Sequence, residues 1–454
     1  MNNFQNRNPI DKKCRKFLYI IVSLLVFEGF LRKLVPPLNI PLFFLKDILC
    51  IWAMYLVSDI KYKNVFQINL LWKQIALAFL PLLLYTAFLD PVLVVFGAKQ
   101  YLLYVVVAIV VPVAFPAHRL EEFKNFFGYA AVLVIPTSMV AILQNFLPAT
   151  HWLNLSVDGS SLADFSAGGY LRVSSTFSFT GQYSFFLIAS CAFFAIRLYI
   201  PPININSQFK IIKRALPLIL GTMLVIGAFI TGGRTAVLGC GACIFIGVCL
   251  LIYKNPKFII NGVVGVGFLA TIYLVGREIK PEYFAAYETR SADSGDESQT
   301  DKISGRLADG MFNWLDWYGD QDIASIFLGN GLGVMANGSQ KISSYAERVR
   351  SDGFWTESDA PTTAWEGGAY LLVIWYSFRV YIILFTFKLW TSLRNNKFRS
   401  AGAFIFGFIL INGIIGTLSL QPPLAIWWWL MVGTMIALRG FDLDYQQKSL
   451  ENKL

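Results

Sequence analysis

The chain has 454 residues, 56% of them apolar and 15% charged, with a mean hydropathy of +0.55 and a formal net charge of +10. Soluble domains run at about 45–50% apolar and about 25% charged, so an ordinary soluble globular fold is excluded. The charges collect in short clusters between long apolar runs, and the net positive balance therefore gives no ground for a nucleic-acid partner.

A hydrocarbon core of about 30 Å calls for roughly 20 apolar residues per helix. By that measure about twelve spans are expected, at residues 17–36, 41–58, 70–89, 96–115, 125–147, 175–197, 213–231, 234–253, 258–275, 363–388, 400–419 and 422–439. The fold class is thus all-α, a polytopic helical membrane protein with one large polar loop. Its organisation reads as nine spans in 1–275, the loop in 276–361, and three spans with a tail in 362–454. No internal repeat is visible, and the first span reads as an uncleaved anchor.

Orientation follows from the lysine and arginine bias. Arg7, Lys12, Lys13, Arg15 and Lys16 open the chain, and later basic connections fall on the same side: Lys61 and Lys63, Arg119 and Lys124, Lys210 to Arg214, Lys254 and Lys257, and Arg394 to Arg399. Both termini are expected to be cytoplasmic and the loop to face out. The loop carries eight basic side chains against fifteen carboxylates. Within it, 289–301 is expected to be irregular and mobile. A helix is expected from Ser304 as N-cap through Leu307, Met311, Trp314 and Leu315. Gly329, Gly331 and Gly333 read as a backbone turn, and 340–350 as another short helix.

Cations on the outer side are the exceptions to the rule: Arg32, Lys33, Arg172, Arg234 and Arg306. Two readings stand for them. Near a helix end an arginine snorkels to the headgroups; together they form an outward cationic pocket whose planar forks suit a phosphate or diphosphate. Among carboxylates beside apolar stretches, Glu28 pairs with Arg32 at i,i+4 and Lys46 adjoins Asp47, both read as structural ion pairs. Asp90 and Glu366 also lie within or beside apolar stretches. Glu357 and Asp359 lie where loop meets span, a place for a base that meets a lipid-borne substrate.

Metal chemistry has little to build on. His118 and His151 lack ligand-spaced partners, and Asp320 and Asp322 form a bare D-x-D. Cys240 and Cys243 form a C-x-x-C among Gly239, Gly241 and Ala242, which reads as small-residue helix packing. None of the six cysteines falls in the large loop.

Four stretches, in this order, resemble the superfamily of bacterial O-antigen ligases and O-antigen polymerases: RVSSTFSFTGQYSFFL from Arg172, TGGRTAVLG around Arg234, SGRLADGMFNWLDW followed by FLGNGLGVM, and ESDAPTTAWEGGAYLLVIWY from Glu357. The segment FEGFLRKLVPPLNIPLFFLKDIL is similar to a subset of the same proteins. The likeness covers most of 17–440. It implies transfer of a glycan from a polyprenyl-diphosphate carrier to a glycan or lipid acceptor on the outer face of the bacterial cytoplasmic membrane, with inversion and with neither metal nor cofactor. Other polysaccharide-assembly proteins are implied partners, beside membrane lipids.

On that resemblance Arg172, Arg234 and Arg306 are expected to bind the diphosphate, and Glu357, Asp359 and Glu366 are the candidate catalytic carboxylates. A departing diphosphate calls for cations, and an acceptor hydroxyl for a positioned base. Where ligases carry a loop histidine, this chain has Glu357-Ser358, which favours polymerase over ligase. Glu357 stands either as that base or as a solvated loop carboxylate. Two other classes remain open: a transporter or flippase for an anionic lipid or glycan, and a non-catalytic member of an export assembly.

Overall fold

The computed structural model describes residues 9–58, 63–160, 166, 170–201, 210–292, 299–318, 321–351, 356 and 358–451. Nineteen α-helices run through the described residues: α1 (Pro9–Leu34), α2 (Asn39–Val57), α3 (Lys63–Leu89), α4 (Pro91–Tyr101), α5 (Val106–Ala114), α6 (Leu120–Val132), α7 (Val134–Phe146), α8 (Thr180–Tyr199), α9 (Lys210–Ile230), α10 (Arg234–Lys254), α11 (Phe258–Ile279), α12 (Glu282–Ala292), α13 (Gln299–Phe312), α14 (Trp314–Tyr318), α15 (Ile323–Leu328), α16 (Ser344–Ser351), α17 (Asp359–Ser392), α18 (Asn396–Ile415) and α19 (Pro422–Glu451). The protein is all-α and membrane-embedded. Nine helical stretches among the described residues are long and apolar enough to cross a bilayer, two of them joining α4 to α5 and α6 to α7.

Each of the twelve expected spans falls largely on helical structure, and three of them, on α1, α9 and α11, are outside those nine. In α1 the charges of Asp11 to Lys16 and of Glu28 to Lys33 leave a short apolar middle. In α9 the side chains of 210–214 lie outside the described residues, and the stretch left, Ala215–Ile230, is shorter than the nine. In α11 several side chains lie outside the described residues.

The centre is α19, 89% buried over its apolar window, whereas the α3 window is 17% buried. A helix apolar all round belongs in the middle of a bundle, and α19 packs there on α5, α8, α17 and α18. Trp427, Trp428 and Trp429 are buried, and the Trp428 indole donates to the Ile409 carbonyl at 2.9 Å. On the periphery Tyr55, Leu77, Phe88 and Phe245 point outward, the apolar coat a bilayer covers. The C-x-x-C helix α10 packs through small residues: Gly239 against Ile188 of α8 and Gly247 against Phe404 of α18.

Several local expectations are corrected. Residues 175–179 are not helical, because Ser175 is held by the Gln144 side chain (2.6 Å to its N–H) and the Thr137 carbonyl (2.6 Å from its Oγ), and Thr176 by the Val26 carbonyl (2.5 Å). Ser304 is inside α13 rather than its cap, and α12 and α13 extend into the stretch expected to be irregular, with 293–298 outside the described residues. The expected short helix is α16, Ser344–Ser351. Residues 416–421 form a turn that ends α18 early.

The loop glycines behave as read: Gly329, Gly331 and Gly333 have φ of +67°, +100° and +79°. Gly329 and Gly331 seat against a break in α17, where Gly367 and Gly368 are non-helical and Gly368 has φ +61°, while Gly333 seats against Gly97 of α4. A Cβ on Gly329 would lie 2.5 Å from the Glu366 carbonyl carbon, and one on Gly368 2.4 Å from that of Phe327. Gly338 also has positive φ, but open space beside it. Gly338→Ala therefore costs only the left-handed strain of about 1–2 kcal/mol. Gly329→Ala and Gly368→Ala add a backbone collision and lower the thermal midpoint further, read by tryptophan fluorescence of the detergent-solubilised protein. Equal shifts for all three would mean that this loop is not seated on α17.

Candidate functional site

The segments singled out by sequence gather at one end of the bundle, the end that carries residues 329–351. The stretch 172–180 crosses the C-terminal end of α1 in close contact. A Cβ on Gly29 would lie 2.1 Å from the Phe177 backbone, and the Phe30 N–H donates to the Thr176 carbonyl at 2.7 Å. Lys33 Nζ donates to the Leu153 carbonyl (3.0 Å) and Ser174 Oγ (3.1 Å), and Arg32 Nη1 to Ser178 Oγ (3.2 Å). At the other end of the stretch, Arg172 packs over the Thr231-Gly232-Gly233 turn that opens α10. Its Nη2 stands 3.8 Å from where a Gly233 Cβ would be, and its Cγ 3.6 Å from the same point on Gly232. Arg172 is thus brought against the turn leading into Arg234. The side chain of Arg306 lies outside the described residues, but its helix is placed: Gly310, one turn on, would put a Cβ 2.8 Å from Ser358 Oγ.

Glu366 is fully buried and bonded at both oxygens. Oε1 accepts from the Met335 N–H (2.8 Å), and Oε2 from the Tyr101 hydroxyl (2.7 Å) and the Gln100 amide (3.0 Å). Its own carbonyl accepts from the Gly331 N–H at 2.9 Å, and that of Trp365 from the Asn330 N–H at 2.8 Å. The carbonyls freed by the α17 break are therefore taken by the loop. Asp90 acts nearby as N-cap of α4, accepting from the Val92 N–H (2.8 Å), and also receives Ser343 Oγ (2.5 Å).

Asp359 opens α17 and is equally enclosed. Oδ2 receives Arg379 Nη1 (2.5 Å) and the Trp375 indole (3.1 Å); Oδ1 receives the Ser419 N–H (2.8 Å) and Oγ (2.6 Å). Arg379, fully buried, spends its remaining donors on the carbonyls of Gly413 (2.8 Å), Asn412 (3.1 Å) and Gly416 (2.8 Å). Those carbonyls lie at the end of α18, where helical partners run out. The pair closes a helix terminus within the apolar bundle.

A third network involves Lys99, the residue before Gln100 in α4. Glu28 Oε1 receives Arg32 (3.0 Å), and Glu28 Oε2 receives Lys46 (3.2 Å). Asp47 receives Lys99 (2.6 Å) and the Tyr104 hydroxyl (2.6 Å). The expected Glu28–Arg32 pair is present. Lys46 and Asp47 do not pair with each other, because neighbours in a helix point apart. Lys99, Gln100, Tyr101 and Arg379 were not legible from sequence: each lies inside an apolar stretch, with partners on distant segments. Of the six predicted site residues, Arg172 and Arg234 are brought to one turn, and Asp359 and Glu366 are bonded within α17's surroundings. Glu357 lies outside the described residues. Among the described residues no group of three or more His, Cys, Asp or Glu is placed to hold a metal.

Arg379→Met leaves the Asp359 carboxylate buried without its cation, a loss of about 3–5 kcal/mol. Replacing both partners by leucine and methionine restores part of that loss, seen as recovery of the thermal midpoint. Glu366→Gln turns an acceptor into a donor facing donors and costs about 1–3 kcal/mol. An unchanged midpoint in either single variant would remove the corresponding carboxylate from the scaffold.

Comparison with known families finds no family model that matches the chain, and comparison with curated proteins finds no significant match.

Proposed function

We propose that this chain polymerises or ligates bacterial surface polysaccharide, transferring glycan from a polyprenyl-diphosphate carrier to an acceptor hydroxyl outside the cytoplasmic membrane. One observation carries the reading: motif segments far apart in the chain meet at one end of the bundle. Arg172 lies on the turn before Arg234. The glycine turn 329–333 lies on the Glu366–Gly368 break, and the helix of Arg306 lies against Ser358.

In this reading Arg172, Arg234 and Arg306 take the diphosphate and stabilise the charge that develops as it leaves. Glu357, next to Ser358, is the base for the acceptor hydroxyl. Asp359 and Glu366 already hold donors at both oxygens, so they act as positioning residues that fix the segment after Glu357. The topology that goes with it has twelve spans, α1, α9 and α11 included, both termini cytoplasmic and 276–361 outside. The basic connections support that orientation.

A second reading rests on the broken helix α17, since discontinuous helices line the sites of transporters. Here the freed backbone groups are taken by Asn330 and Gly331, which fits a fixed scaffold better than a pathway.

Cells lacking the gene distinguish these readings. Single-repeat carriers accumulate if the chain is a polymerase, and long chains on the carrier if it is a ligase; unchanged glycans with altered solute uptake would overturn both. In complemented cells Arg172→Lys keeps the charge but loses the fork and reduces glycan assembly, Arg172→Ala more so, at unchanged expression. Glu357→Gln abolishes assembly; activity within a few-fold of the parent would remove Glu357 from the chemistry. Cysteines at Ser294 and Lys397 should label with an impermeant thiol reagent in spheroplasts at the first site only. Labelling of the second alone would reverse the orientation.

A further inference from the structure

The short helix α15 stands between the last turns of α3 and the break in α17. A Cβ on Gly368 would lie 2.4 Å from the Phe327 carbonyl carbon and 2.6 Å from the Ile326 carbonyl oxygen. Just past the helix, the Gly329 carbonyl accepts from the Tyr85 hydroxyl at 3.4 Å. Leu328 packs on the main core and Ile326 is half-buried. On the other side Ile323 is 78% exposed and Phe327 59%, with Ala324 exposed as well. We propose that this outward face of α15 lies in the lipid leaflet on the loop side, with Ile323 and Phe327 among the upper acyl carbons.

Three observations place the face there. The first is depth. Lys388 is exposed toward the far end of α17. From there to Gly368 the helix runs for about 30 Å, at about 1.5 Å per residue, which matches the thickness of a hydrocarbon core. Arg379 is the one charged residue between them, and it is buried on Asp359. Gly368 therefore marks where the core ends on the loop side, and α15 is seated on that residue.

The second is the neighbouring surface. α15 meets α3 at Tyr85, and Leu84 and Phe88 on the same turn of α3 are exposed, Phe88 by 90%. They belong to the apolar coat that a bilayer covers, so the α15 face adjoins that coat at its upper edge. The third is composition. Every exposed position of α15 is apolar, and Ile323 and Phe327 share a face because they are four residues apart. The loop's other described short helix, α16, exposes Ser344, Glu347, Arg348 and Ser351 and buries Ala346 and Val349, as a water-facing helix does. Large apolar side chains on an outward face are instead what an interfacial helix sinks into the headgroup boundary. A protein occupant fits less well: two large side chains on a six-residue helix fall far short of the about 800 Å² per partner that a stable interface buries. None of this depends on the reaction proposed above.

The test is nitroxide accessibility in the full chain, one copy per phosphatidylcholine nanodisc. Cys249 is exposed and the other five cysteines are buried, so Cys249→Ser gives a background for single labels. Labels go on Ile323→Cys and Phe327→Cys, with Leu77→Cys on α3 as the acyl reference and Glu347→Cys on α16 as the water reference. These positions are all exposed, so a label displaces no packing. Collision with oxygen relative to a neutral nickel chelate should be several-fold higher at 323 and 327 than at 347, and no higher than at 77. A ratio equal to that at 347 would put the face in water. Exclusion of both reagents would put protein over it. Either result overturns the proposal, and where one labelled variant fails to reconstitute the other decides alone.

Discussion

The loop end of this protein depends on Glu366. Inside a bilayer or an apolar bundle no water is at hand to satisfy a broken helix, and α17 is broken at Gly367 and Gly368 directly after this residue. Its side chain holds α4 through Gln100 and Tyr101 and the loop through Met335, while its carbonyl holds Gly331. One carboxylate thus ties α17 and the loop to α4, more than two hundred residues earlier in the chain. Asp359 does the same at the start of α17, where Arg379 spans from its carboxylate to the last carbonyls of α18. A buried pair of this kind adds little net stability, yet losing one partner is costly. Its effect is to fix which helix ends meet.

This division of labour bears on the chemistry. A carboxylate whose oxygens already accept from two or three donors has little left to offer an acceptor hydroxyl, because the lone pairs that would take its proton are occupied. Asp359 and Glu366 are in that position, and so the reading of function leans on Glu357 and on the arginines instead. Rigid support beside a reacting group is what such a site requires, because misplacement by about 1 Å is enough to cost much of a rate.

The sequence made the helices legible because hydrophobic length is a one-dimensional property: every expected span falls largely on helical structure. It made Gly329, Gly331 and Gly333 legible because a run of alternate glycines has few uses other than positive φ. Glu28 and Arg32 were legible because their spacing of four is a local rule. What it hid is what needs three dimensions. Lys99 and Gln100 read as ordinary polar interruptions of an apolar stretch until Asp47 and Glu366 are placed beside them. Arg379 lies mid-span with its carboxylate twenty residues earlier. The tie of 172–179 to α1 and Gln144, which stops α8 from starting sooner, has no signature in either segment alone. Ser304 failed as a cap signal for the opposite reason: the local rule was met, but the helix had already begun at Gln299.

The broken helix weighs differently once its partners are counted. In an alternating-access device the unwound backbone groups must be free to bind cargo or to exchange partners between states. Here the carbonyls of Trp365 and Glu366 are bonded by Asn330 and Gly331, and Gly329 and Gly368 interlock so closely that a methyl group on either would collide with the other's segment. Moving α17 against the loop would break those bonds together, and the loop backbone would then need new partners in a place with few to offer. The 329–335 segment therefore moves with α17 as one body. A fixed junction between a long span and a polar loop suits a site that holds a lipid-borne group still while a hydroxyl attacks it, and it is poorly suited to a gate.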